Sequence, residues 1–204
     1  QTSNIYTFGR LTPGASYRIK VKVIDNAGNE TVSQETIGTT EEIPGGNNNI
    51  YFNYIPSGWT NGNVVVGITA SAGEHRIQYS KDGYNWYNYD VYSKVTMTEN
   101  GPVYARLTDG TNYGSTATGN VWNIDRTLPT GSGRVSMEEQ NGREATIIIS
   151  AIDSESGIES VTNKTTEFIR KENPTTYKVT KNGNYEFYII DKAGNRNTIS
   201  VNVQ

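Results

Sequence analysis

The sequence predicts an all-β chain built as a tandem array of small β-sandwiches, and three observations predict it. Apolar and polar residues alternate at period two, as in Tyr17, Ile19, Val21 and Val23 against Arg18, Lys20 and Lys22. That pattern places one face of a strand against a core. Turn formers recur between the strands, with 21 glycines in 204 residues, and no helical periodicity lasts beyond a turn or two. Three segments also repeat: residues 17–31 (YRIKVKVIDNAGNET), 101–115 (GPVYARLTDGTNYGS) and 184–198 (NYEFYIIDKAGNRNT). Each is an alternating strand, an aspartate, a glycine-containing turn and a second extended stretch. The aspartates Asp25, Asp109 and Asp191 recur at roughly 80 residues, longer than the about 20–50 of solenoid repeats and suited to complete small domains.

The linkers divide the array. Residues 41–49 (EEIPGGNNN) and 123–132 (NIDRTLPTGS) are polar and rich in turn formers. They delimit a partial module at 1–44, a full one at 46–126 and another at 127–204. In the first there is room for three strands. Three strands are too few for a sandwich of their own, so Ile19, Val21 and Val23 are expected to need cover from outside residues 46–126. In the second, NVVVGITA (63–70) precedes Asp109 much as ATIIISAI (145–152) precedes Asp191 in the third.

Composition excludes several function classes. There is no cysteine, so no disulfide framework and no thiolate metal site. A net charge of -3 without a basic stripe argues against nucleic-acid binding. Hydrophobic residues make up 34% of the chain, with 14 tyrosines, too many for a disordered chain. No apolar stretch approaches the roughly 18 residues of a membrane span, so membrane insertion is not expected. Residue 1 opens no basic-then-apolar leader, and the chain reads as a segment of a longer protein whose remainder is its first partner.

The aspartate turns carry structural residues. Asp25, Gly28 and Asn29, then Asp109, then Asp191, Gly194 and Asn195 suit tight reversals: Asp accepts backbone amides, and Gly and Asn tolerate positive φ. Calcium is the alternative for such oxygen-rich loops, but one aspartate per loop is little charge for it. The more acidic run Asp153-Ser154-Glu155-Ser156-Gly157 lacks the evenly spaced ligands of a calcium loop and also reads as a turn. No metal ligand and no cofactor is assigned.

Leu11-Thr12-Pro13-Gly14-Ala15-Ser16-Tyr17 has the pattern of a tyrosine corner, in which a phenol hydroxyl bonds the backbone a few residues upstream. Here the first module resembles the last three strands of a fibronectin type III domain, and the resemblance implies strands at 6–8, 18–24 and 31–37. The later modules resemble bacterial immunoglobulin-like repeats through GWTNGNVVVGITAS (58–71), IQYSKDGYNWYNY (77–89), ENGPVYARLTDGTN (99–112) and NIDRTLP (123–129). The resemblance implies tandem immunoglobulin-like and fibronectin type III-like β-sandwiches. It also implies an extracellular setting, secreted or on the surface of Gram-positive bacteria. It implies no particular activity, because such modules host many functions.

No catalytic constellation is present. His75, between Glu74 and Arg76, is the one histidine, carboxylates are scattered singly, and no Gly-x-Ser-x-Gly turn occurs. The chain is expected not to be an enzyme. The binding lead is aromatic: Tyr84, Trp86, Tyr87 and Tyr89 crowd one hairpin and could stack on sugar rings. Against that, Trp86 is expected to fold over an apolar face with Val64, Val66 and Tyr104, flanked by cross-strand tyrosines. The expected role is therefore a non-catalytic stalk, spacer or adhesion segment, with a surface glycan or protein as ligand if it has one. The alternatives are a carbohydrate-binding region of a secreted polysaccharide-degrading enzyme and a phage tail-fibre or virion module.

Overall fold

The computed structural model describes residues 5–47, 49–71, 75–137, 144–167 and 169–204. Asn48, inside the first expected linker, and Glu74, beside His75, lie outside the described residues. Among the described residues the chain forms eighteen strands and no helix. The fold is all-β, as the period-two alternation requires.

The first four strands are β1 (Ser16–Ile19), β2 (Lys22–Ile24), β3 (Glu30–Val32) and β4 (Thr36–Thr39). β1 pairs antiparallel with β4, and β2 with β3. The expected continuous strand at 18–24 breaks at Val21, whose N–H donates to Ser33 Oγ at 2.9 Å instead of continuing a regular ladder. The expected strand at 6–8 does not form, and Tyr6 and Phe8 rest edge to face with ring centroids 4.9 Å apart. No described residue in 5–44 is buried. Val21, Val23, Ile24, Val32 and Ile37 are each more than half exposed. The alternation is realised as strands but not as a core, because a strand pair without a covering layer has nothing to bury its apolar face against.

Seven strands follow: β5 (Ile50–Ile55), β6 (Val64–Ala70), β7 (Arg76–Ser80), β8 (Tyr87–Asn88), β9 (Val95–Met97), β10 (Gly101–Thr108) and β11 (Ala117–Val121). They form a sheet of order β5-β6-β9 and a sheet of order β11-β10-β7-β8. Val64, Val66 and Ile68 are buried on β6, and Val103, Ala105 and Leu107 on β10, each set at every second residue. The last seven are β12 (Thr130–Met137), β13 (Ala145–Ile152), β14 (Ile158–Asn163), β15 (Ile169–Arg170), β16 (Thr175–Val179), β17 (Gly183–Asp191) and β18 (Arg196–Val203). Their sheets have the orders β12-β13-β16 and β15-β14-β17-β18. The two strand orders of residues 50–121 thus recur in residues 130–203.

In the last seven strands the two sheets close on one core. Ile147, Ile149 and Tyr177 from one sheet meet Val161, Phe187, Ile189 and Val201 from the other. Tyr177 stacks at a tilt on Phe187, 4.8 Å between centroids, and its hydroxyl donates to Val161 O at 2.8 Å, so one side chain bridges the sheets. Residues 130–132, expected as linker, begin β12, which pairs with β13 along its length. Gly131 and Gly133 permit this: a Cβ at either would collide with Ile189 and Val201 respectively.

Backbone contacts group the chain into two compact units. One comprises Gln1–Phe52, Ile68–Lys94 and Pro102–Gly119, and the other Asn53–Gly67, Val95–Gly101 and Asn120–Gln204. Within the first, the expected linker at 41–49 is anchored. Gly46 N–H donates to Ser115 O at 2.9 Å, and Thr118 N–H to Asn47 Oδ1 at 3.0 Å. Within the second, residues 123–127 are anchored too. Asn123 and Asp125 are 2% and 1% exposed, and Asp125 N–H donates to Thr60 O at 2.9 Å.

Candidate functional site

In each aspartate turn the carboxylate accepts the backbone and side-chain amides of a following asparagine, four residues on at Asp25 and Asp191 and three at Asp109. Asp25 Oδ1 accepts the Ala27 and Asn29 amides, its Oδ2 accepts Asn29 Nδ2, and Gly28 takes φ +87°. Asp109 accepts the Thr111 and Asn112 amides and Asn112 Nδ2. Asp191 accepts the Asn195 amide and Asn195 Nδ2, each at 2.8 Å, with Gly194 at φ +91°. Donors converging on a carboxylate favour its charged form. The Asn29 side-chain amide holds Asp25 below the usual carboxylate range, and the Asn112 backbone amide does the same for Asp109.

Asp191 differs from the other two in its surroundings. It is 1% exposed, and Asn195 Nδ2 also donates to Asp125 O at 2.9 Å. The same turn receives Asn61 N–H on Ala193 O at 3.0 Å. Asp125 comes from the 123–127 segment, and its carboxylate accepts the Thr127 amide at 2.8 Å and the Ser156 amide at 3.0 Å. Burial raises its pKa, but the Ser156 side chain, followed by the Thr127 and Ser156 amides, leaves it below the ordinary value. Asp153 Oδ1 caps its own loop, accepting the Glu155 and Gly157 amides.

These contacts bring three carboxylates together. Asp125, Asp153 and Asp191 each offer an oxygen within 4.8 Å of the other two. The sequence places Asp191 in a turn with one aspartate, Asp153 in an acidic run without evenly spaced calcium ligands, and Asp125 in a linker, so it assigns no metal to any of them. Only the strand order, which returns β17 beside β14 and lays the 123–127 segment against both loops, brings them into one place. Next to them, Arg126 is committed elsewhere, donating to Asn61 O, Thr98 O, Gly62 O and Asn63 Oδ1.

The remaining structural residue is Tyr17, whose hydroxyl accepts the Thr12 amide at 2.7 Å, five residues upstream. The aromatic residues of the 79–89 hairpin do not share one face. Trp86 lies beneath Arg106, whose guanidinium carbon is 4.0 Å from the ring centroid. Tyr113 covers the same guanidinium at 3.7 Å, and Gln78 Oε1 accepts its Nε and Nη2. Arg106 alternates with the buried Ala105 and Leu107, so Trp86 sits on the face of β10 away from them. The expected packing of Trp86 on the apolar face is therefore corrected: a half-buried indole is capped by a cation. Tyr87 and Tyr89 instead contact Tyr79, the neighbour of Gln78 in β7, at 5.7 and 6.4 Å. Tyr89 Oη accepts the Ile68 amide at 2.9 Å. Tyr84 stands out at 88% exposed.

Residues 174–204 match the family model described as a bacterial Ig-like domain, Big_3_2. The match covers β16, β17 and β18, the strands that supply Tyr177, Phe187 and the Asp191 turn. No curated protein matches the chain.

Proposed function

We propose that the chain is a non-catalytic stalk or spacer segment of an extracellular, modular bacterial protein. The observation that carries this reading is the bonded join at 123–127. A loose linker would expose its backbone, whereas here Asp125 is buried and bonded to Thr60, Thr127, Ser156 and Asn195. A segment that holds each module against the next is suited to spacing. Bacterial Ig-like domains are common in extracellular and surface proteins and are typically non-catalytic. The recurrence of both strand orders supports the tandem reading, with modules at 46–126 and 127–204. The bare face of residues 5–44 supports a first module completed by strands outside it, of fibronectin type III type. Among the described residues no helix is long and apolar enough to cross a membrane.

Adhesion is the second reading, favoured by Tyr84 and Tyr92, 88% and 94% exposed, with Tyr87 at 56%. Exposed aromatic faces of this kind stack on a surface glycan or anchor a protein ligand. Exchange separates the two readings. Replacing residues 46–204 in the parent protein with two unrelated sandwiches leaves its activity intact if the segment is a spacer. Loss of activity on exchange, together with retention of the isolated segment on a polysaccharide column, overturns that reading in favour of adhesion.

A further inference from the structure

We propose that Asp125, Asp153 and Asp191 form a binding site for a hard divalent cation, calcium by its chemistry. The site goes beyond the spacer reading and does not depend on it. Three carboxylates from three separate segments present oxygens within 4.8 Å of one another. Asp125 and Asp191 are each 1% exposed. Asp153 Oδ2 is wholly shielded from solvent and has no hydrogen-bond partner. A carboxylate oxygen removed from water is costly unless something positive or a donor faces it. None of the three carboxylates forms an ion pair among the described residues. Arg126, adjacent in the chain, is spent on three carbonyls and Asn63, and Lys192 stands by Gly157.

The arrangement of donors points the same way. The Thr127 and Ser156 amides hold Asp125, the Glu155 and Gly157 amides hold Asp153, and Asn195 holds Asp191. These bonds fix each carboxylate without neutralising it and leave Asp153 Oδ2 free. Such outer partners are what orient ligands around a metal. The donor set selects the ion. It is all oxygen, with no imidazole or thiolate, which disfavours zinc and copper. Calcium takes oxygens at about 2.3–2.6 Å in flexible geometry, so ligands across the ion stand roughly twice that apart, in keeping with the spacing here. Magnesium demands a tighter octahedron at about 2.0–2.1 Å. Three carboxylates with water completing the shell suit the weak affinity of extracellular calcium modules, about 10⁻⁴–10⁻³ M.

Isothermal titration of the chelator-treated 204-residue chain with calcium chloride tests the site, alongside melting curves in chelator and in millimolar calcium. The expected result is one calcium per chain, a higher melting temperature in calcium and weaker competition by magnesium. Asp153→Asn keeps an oxygen for the Glu155 and Gly157 amides while removing the charge. It should fold, by circular dichroism, and lose about tenfold or more in affinity. Asp109→Asn, in a turn outside the cluster, should bind as the parent does. No calcium uptake and no calcium-dependent melting shift in the parent overturns the proposal, as does parental affinity in Asp153→Asn. A parent indifferent to calcium, with Asp153→Asn more stable in either buffer, would mean that the carboxylates share a proton, and it also overturns it.

Discussion

Residues 5–44 and residues 127–204 are written in the same local code and reach opposite ends of the burial scale. Both have alternating strands and a near-identical turn, Asp25-Asn26-Ala27-Gly28-Asn29 and Asp191-Lys192-Ala193-Gly194-Asn195. The turns superimpose in their bonds: the aspartate N–H meets the asparagine O at 3.0 and 3.1 Å, and the glycine N–H meets the aspartate O at 3.1 and 3.2 Å. Yet Asp25 is exposed while Asp191 is 1% exposed. Val23 is 56% exposed, whereas Ile189, on the strand leading into the other turn, is 0% exposed. Local chemistry therefore makes the turn, and what covers the strands decides whether it is a surface feature or part of a core.

The largest effect expected from this contrast is in the strands. Phe187→Ala removes a fully buried ring that packs on Tyr177, and should destabilise the last sandwich by about 3–5 kcal/mol. Val23→Ala removes a side chain already in water and should stay within about 0.5 kcal/mol. Urea unfolding followed by circular dichroism checks both. Equal effects would show that Val23 is covered in solution, and so would break the contrast.

The turns come next. Asn195→Ala leaves Asp125 O and Asp191 Oδ2 short of a donor in a buried site, so a loss of about 2–4 kcal/mol is expected. Asn29→Ala deletes the equivalent bond to Asp25 where water can replace it, and the unfolding midpoint should hardly move. Similar losses at the two asparagines would mean that the turn itself, not its burial, carries the energy.

Trp86 lies between these extremes and sharpens the scale. Its ring is capped by Arg106 rather than enclosed by aliphatic side chains. Trp86→Ala should cost about 1–2 kcal/mol, the range of a partly desolvated cation–π contact, by the same urea measurement. A cost equal to that of Phe187→Ala would return the indole to the core.

What could be read in the sequence was what is local. Period two gave the strands, Asp-x-Ala-Gly-Asn the turns, and Leu11 to Tyr17 the corner now seen with Tyr17 on the Thr12 amide. What could not be read was the result of distant chain segments meeting. Asp125 looked like part of a hinge and Asp153 like a loop, and neither pattern says that β17 returns beside β14. Nothing local to the 101–108 strand says that Arg106 lies between Trp86 and Tyr113, which come from other parts of the chain. The interruption at 18–24 was missed because alternation reports which face is apolar, not whether anything covers it.

The smallest expected effect is the pH response of the exposed turns, and its sign follows from their bonds. Asp25 is held below the usual range by the Asn29 side chain, Asp90 by the Tyr92 amide and Asp109 by the Asn112 amide. Asp82 is held well below it by the Asn85 amide and side chain, with Tyr84 and Ser80 adding to them. An unfolded aspartate takes up its proton near pH 3.9, whereas these folded ones stay charged to lower pH. Between the two values the unfolded chain binds more protons, so acid favours unfolding. The stability from these turns should be fully present above about pH 5 and be lost as the pH falls through 4 and below the folded values. Each group is open to solvent and screened, so the individual contributions are small. Urea midpoints measured from neutral pH downward should be flat and then fall in acid. Asp82→Asn keeps an acceptor for the Tyr84 and Asn85 amides but cannot titrate, so its acid fall should be shallower. An identical fall in the variant would assign the acid response to buried carboxylates instead, and would reverse the order of the exposed and buried turns in this one respect.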